Sequence, residues 1–249
     1  MYDLAQLAER DFDLVRQSFQ SSFSHPCASM EATAQAVLQS LQSALWDPQT
    51  DSSACSLARC YITQRYDRLA PPLQRLARDH RDNAMLTAIK YLVLLATAGE
   101  RPEWNDRTRS RAHQLIPLSS VDIINQSPMV AHMIKQFGFP LDALISADAV
   151  ELSMTANRTH NVFYVPAAPG SPYIPAQSEF VERYGIKSVI GMGGILPYGH
   201  MFAVILFTKV AIPAHLTTLF ASLATDIKAA FVPHGDKRIY AAPGADRAA

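Results

Sequence analysis

Met129, His132 and Met133 stand one helical turn apart in the stretch that follows Ser120, so a helix would present two thioethers and an imidazole on one side. Such a set can touch haem or another flat apolar ligand, with His132 as an axial candidate; the same spacing also serves ordinary helix packing, with the methionines in the core and His132 at the rim. His160, Tyr164 and Tyr173 follow. Each can give a polar contact to a ligand in a pocket, and each equally suits a boundary position where an aromatic body is covered and a polar tip stays wet. Gly191 and Gly193 fall on one face of a strand-like run, with Gly194 beside them, leaving a strip of bare backbone for close approach by a ligand, a helix or a bulge.

Other chemistries lack their residues. The eight histidines are scattered, without HExxH or Cys/His spacing, so no metal site is expected. Cys27, Cys55 and Cys60 are too few and too dispersed for a disulfide framework, and strand alternation would put Cys55 and Cys60 on opposite faces as separate reduced thiols. The local sequence displays no thiolate-forming setting for Cys55 or Cys60, no GxSxG phrase supplies a serine nucleophile, and GMGG is not a dinucleotide fingerprint. No catalytic residue is assigned, and an enzyme is not expected.

These residues need elements to hold them. With 249 residues, 49% of them hydrophobic and 18% charged, the chain can bury a large core. Lys+Arg and Asp+Glu balance at 22 each, giving no electrostatic footprint for nucleic acid or an anionic membrane. The longest apolar run, Tyr91 to Ala98, is far shorter than the roughly 20 residues that span a bilayer. The acidic N-terminal sequence does not read as a secretory signal, so a cytoplasmic protein is expected.

Phe12, Val15, Phe19 and Phe23 form a helical stripe within residues 9–23, and Ser29 can cap a second helix running to Trp46. Cys55 to Thr63 reads as the first strand, Pro71 and Pro72 open a short helix, and Tyr91 to Gly99 suits a buried strand, although residues 84–90 could instead prolong the helix. His113 to Leu118 is a short strand that Pro117 should end. Ser120 can cap a helix from Val121 to Phe137 that Pro128 should kink or split, and residues 141–154 suit a further helix. Ser188 to Leu196 and Phe202 to Phe207 form a hairpin around Pro197, Tyr198, Gly199 and His200, and the helix from Ala214 to Phe231 should turn Thr218, Ser222, Asp226 and Lys228 outward. Residues 235–249 read as a frayed tail.

From residue 161 to Phe231 the order strand, proline-rich loop, short helix, strand, turn, strand, amphipathic helix resembles the closing half of a GAF domain. Gly185, Ile186 and Ser188 match its GI-x-S phrase, and Leu219, Phe220, Leu223, Ala224 and Ala230 match its final helix. The phrases LLATAG, PEWN, GSPYIPAQ and FAVILF make the whole chain similar to uncharacterised N-terminal regions of bacterial sensor histidine kinases and cyclases. The resemblance implies an α/β (α+β) fold with a GAF-like central antiparallel sheet flanked by helices, preceded by an N-terminal helical pair. It implies a helical extension over 1–50, the domain over 51–233 and a flexible tail over 234–249. It places Met129, His132 and Met133 in the pocket roof. A signalling module follows from it: a small-molecule ligand, a homodimer, and output through a separate protein. The alternative on the same scaffold is a ligand-free dimerisation or partner-binding module, and a thiol-based reductase ranks below both. The Cys-His pair of bilin-binding relatives and the Asn-Lys-Phe-Asp-Glu signature of cyclic-nucleotide-binding relatives are both missing.

Overall fold

The computed structural model describes residues 1–21, 27–79, 89–110, 113–146 and 162–240. The strands are β1 (Tyr2–Asp3), β2 (Leu45–Asp47), β3 (Ser52–Ser53), β4 (Cys55–Arg65), β5 (Lys90–Gly99), β6 (Leu115–Leu118), β7 (Val162–Val165), β8 (Ser188–Ile195) and β9 (Met201–Thr208). The helices are α1 (Phe12–Ser21), α2 (Met30–Ala44), α3 (Pro71–Asp79), α4 (Val121–Asn125), α5 (Pro128–Gln136), α6 (Leu141–Ser146) and α7 (Thr217–Phe231). Six strands form an antiparallel sheet in the order β6-β5-β4-β9-β8-β7, while β1, β2 and β3 make a small separate sheet. This is the α+β architecture expected from the sequence, a central antiparallel sheet between two layers of helices.

Strands β8 and β9 are buried along their whole length, because apolar residues on both faces of a strand demand cover on both sides. One face packs on α1, α2 and α7 through residues such as Cys60, Ile62, Val204 and Leu206; the other packs on α4, α5 and α6 through Leu57, Tyr61, Ile205 and Phe207. The N-terminal helical pair is therefore one layer of the domain's own core. Ser29 caps α2 by accepting a hydrogen bond from the Ala32 amide at 3.1 Å, and Ser120 caps α4 by accepting one from Ile123. Pro128 splits the expected Val121 to Phe137 helix into α4 and α5. The hairpin turn uses Gly199 at φ +83°, a left-handed conformation open to glycine.

Several expectations are corrected. Helix α2 ends at Ala44, and Leu45–Asp47 pairs as a strand with β1 and β3. Strand β6 runs through Pro117, since a proline without an N–H is tolerated on the edge of the sheet. Cys55 and Cys60 lie on the same face: Ser56 is an extra residue in β4 where Cys55 pairs Thr208 and Leu57 pairs Phe207, and that bulge inverts the alternation. Asp226 does not face water; both its oxygens accept from Arg16 at 2.9 and 3.0 Å, pinning α1 to α7. Nor are residues 235–240 free: the carbonyls of Arg238 and Ile239 accept from the amides of Met30 and Glu31 at the start of α2, and Ile239 is buried. Phe23, residues 84–88 and 147–154, and the end of the tail, residues 241–249, lie outside the described residues.

Gly193 shows what the glycine strip does. A Cβ there would collide with the carbonyl oxygen of Phe202 and come within 2.6 Å of Phe137 Cε2, and one at Gly191 would press on Phe163 at 3.2 Å. The bare strip therefore lets α5 close on the sheet. Gly193→Ala is expected to destabilise the fold by roughly 1–3 kcal/mol through overpacking; equilibrium urea unfolding measures this, and an unchanged midpoint would mean that Phe137 does not press on β8.

Candidate functional site

On the α4/α5 face of the sheet, next to this tight contact, the cover is incomplete, and a cavity of about 300 Å³ remains. Its floor is apolar and buried: Leu57, Tyr61, Leu92, Ile205 and Phe207 project from three adjacent strands. Its roof is the α4–α5 connection, Gln126 to Val130, and its far wall is Tyr173 to Ala176 with Phe180. The volume lies at the lower end of the ~300–1,000 Å³ range of ligand pockets, and the lining has their usual composition, apolar walls with a few polar groups.

The far wall explains two of the sequence phrases. In GSPYIPAQ, the Gln177 side chain donates to the carbonyls of Ile174 at 2.7 Å and Ala168 at 3.2 Å, and accepts from the Gly170 amide at 2.8 Å, so one amide staples the proline-rich loop into shape. A π-helical turn, Gln177–Glu182, then places Phe180 against Phe207 with ring centroids 5.1 Å apart. In PEWN, Trp104 sits edge-on to Tyr184 at 4.7 Å and tilted against Phe180, while Asn105 bonds both the amide and the carbonyl of Gly99. Phe180 and Phe207 line the cavity, and Gln177, Trp104, Asn105 and Tyr184 buttress it from behind.

Of the six residues singled out in the sequence, Met129 and Tyr173 line the cavity. His132 stacks on Tyr173 at 3.7 Å with rings nearly parallel and meets the edge of Phe163 at 5.7 Å, so it fastens the loop to α5 from outside the lining. Met133 is wholly buried in the core. Tyr164 lies on the opposite face of the sheet, where its hydroxyl donates to the carbonyl of Ile212. His160 lies outside the described residues. These placements do not fit a haem: both aromatic neighbours hold His132 away from the cavity, Met133 is packed in the core, and the space suits a compact molecule rather than a tetrapyrrole.

The polar groups that do line the cavity are different ones. Arg59 lies midway along β4, between Leu57 and Tyr61 on the same face. Among the described residues its Nη1 and Nη2 make long contacts of 3.4 Å, to the hydroxyls of Tyr61 and Ser110, and its Nε is sealed from solvent with no hydrogen-bond partner. His113, exposed at the rim, holds a left-handed backbone at φ +63°, an uncommon conformation for a residue with a Cβ. Loss of water among crowding protein atoms and the nearby Arg59 charge lower its pKa below the ordinary histidine value; His132 is likewise lowered, by burial and then Lys135. The sequence signal for Arg59 was a single cation inside an otherwise apolar strand core. His113 carries no comparable local mark.

No family model matches the chain, and no curated protein matches it in sequence. Among solved structures, it is similar to the free methionine-R-sulfoxide reductase from Neisseria meningitidis in complex with its substrate, at 12% identity and TM-score 0.46, covering 94% of this chain and 98% of that one. It is similar to the GAF domain from Acinetobacter phosphoenolpyruvate-protein phosphotransferase at 11% identity and TM-score 0.41, covering 91% and 95%. A third is the Stigmatella aurantiaca phytochrome photosensory core module, at 11% identity and TM-score 0.42, covering 94% of this chain and 39% of that one. The central antiparallel sheet with helices on both faces is the α+β arrangement that the sequence resemblance implied.

Because His113 and His132 take up protons less readily folded than unfolded, their contribution to stability is present above about pH 6.5 and is lost as pH falls through the lowered folded values. Urea unfolding at pH 8 and pH 5 should show this fall. Replacing His113 with Asn, which tolerates the left-handed backbone, should flatten it, and an unchanged slope would show that His113 titrates alike in both states.

Proposed function

We propose that this chain is a cytosolic sensory or regulatory module that binds a compact small molecule in the cavity above β4, β5 and β9. The cavity itself carries this reading. A module that only dimerised would gain by filling such a space with its own side chains, since unfilled volume forfeits packing energy. Here a stapled loop, a stacked His132 and an aromatic buttress hold the walls apart.

The route for a response runs through the sheet. Strand β4 carries Leu57, Arg59 and Tyr61 on the cavity side and Ala58, Cys60 and Ile62 against the terminal-helix layer. Helices α1 and α7 are joined there by the Arg16–Asp226 pair, and a second copy of the chain meeting this layer would provide the two-state element that a ligand can bias. Output through a separate signalling protein belongs to the same proposal.

Binding is favoured over thiol catalysis by the state of the cysteines. Cys55 and Cys60 are buried on the face away from the cavity, and burial pushes the Cys55 thiol up to about 12 and Cys60 upward as well. A thiol in that state supplies no nucleophile near neutral pH.

Thermal melts of the purified protein with a mixture of cellular metabolites test the proposal. A ligand present at about 100 times its Kd should add ~2.7 kcal/mol and raise Tm by roughly 5–10 °C for a chain of this size. Ala176→Trp, at the exposed rim, should close the cavity and abolish the rise with little change in the ligand-free Tm. A rise that survives in Ala176→Trp would place the binding elsewhere.

A further inference from the structure

The cavity lining contains one guanidinium, one imidazole and the first turn of α5, and among its lining residues there is no Asp or Glu. Arg59 forms no ion pair among the described residues. A guanidinium presents five donors in a planar fork suited to an oxyanion. Among the described residues, those of Arg59 find two hydroxyls at long range, and Nε finds no partner. The sealed Nε faces no open space, so an anion entering the cavity would meet the terminal nitrogens, whose two long hydroxyl contacts a charge-assisted pair can replace. The α5 amides next to Pro128 add partial positive charge from the roof. Around these groups, the walls are Leu57, Leu92, Ile116, Ile174, Ile205 and Phe207.

We infer that the ligand is a small monocarboxylate with a compact apolar body, its carboxylate paired with Arg59 beneath the start of α5 and its body against the apolar floor. This rests on the cavity being the ligand site and specifies which chemistry it selects. A carboxylate fits better than a larger polyanion, because the cavity holds a single guanidinium and the rest of its floor is apolar. A neutral molecule of the same shape would fill the walls and leave Arg59 as it stands.

Calorimetric or NMR titration with hexanoate and benzoate, each against its neutral amide, decides the matter on the unmodified protein. The acids are expected to bind at least about tenfold more tightly than the amides, the factor that one charge-assisted pair provides. Arg59→Gln should remove that preference while keeping the amides' affinity, and Arg59→Lys, which retains charge without the fork, should fall between. Equal binding of acid and amide, or a preference that survives in Arg59→Gln, overturns the inference and leaves the cavity as a ligand site for neutral molecules. If none of the four probes binds, but another compound gives a melt shift that Ala176→Trp abolishes, the carboxylate assignment alone fails. If no compound does, the ligand site fails with it.

Discussion

Strands β8 and β9 are fully buried on both faces, as is most of β4, and the architecture follows from covering them. A sheet with two apolar faces needs a helical layer on each, and the chain supplies one from its two ends and the other from its middle. Helices α1, α2 and α7 pack together on one face; α4, α5, α6 and the π-helical turn pack on the other. Without the sheet, neither layer would have anything to bury its stripe against, because short amphipathic helices owe their stability to packing rather than to propensity.

The two covers differ in quality, and that difference makes a site. The terminal layer is closed by long helices, with Arg16 gripping Asp226 and residues 238 and 239 capping α2. The middle layer is assembled from short pieces: a helix split at Pro128, a stapled loop and a π-helical turn. Where Phe137 meets Gly193 these pieces touch the sheet, and over Leu57, Leu92 and Ile205 they stand clear of it. Arg59 lies under that gap, a charged residue within the apolar floor. The proposed sensing role uses this asymmetry: an incomplete cover over the ligand, a continuous sheet beneath, and a tightly tied terminal layer beyond.

The phrases that made the sequence recognisable are mostly the scaffolding of the gap. Gln177, Trp104 and Asn105 line nothing; they shape the segments that do. Ser188 works in the same way, donating to the Pro166 carbonyl and accepting from the Ile212 amide, so the ends of β7 and β8 stay together whatever occupies the cavity.

The sequence by itself determined whatever depends on neighbours along the chain. The caps at Ser29 and Ser120, the break at Pro128, the turn at Gly199 and the two-sided burial of FAVILF all follow from local backbone geometry and residue period. Only the tertiary structure decided what depends on segments far apart. One extra residue at Ser56 moved Cys55 to the face of Cys60, and an α1 arginine drew Asp226 out of water. The same holds for the cavity: β4 contributes Arg59, the segment before β6 contributes His113, α5 contributes Met129 and the stapled loop contributes Tyr173. Residue spacing marks a face of one element, whereas a cavity is the space that several elements fail to fill, and that is set by how they pack.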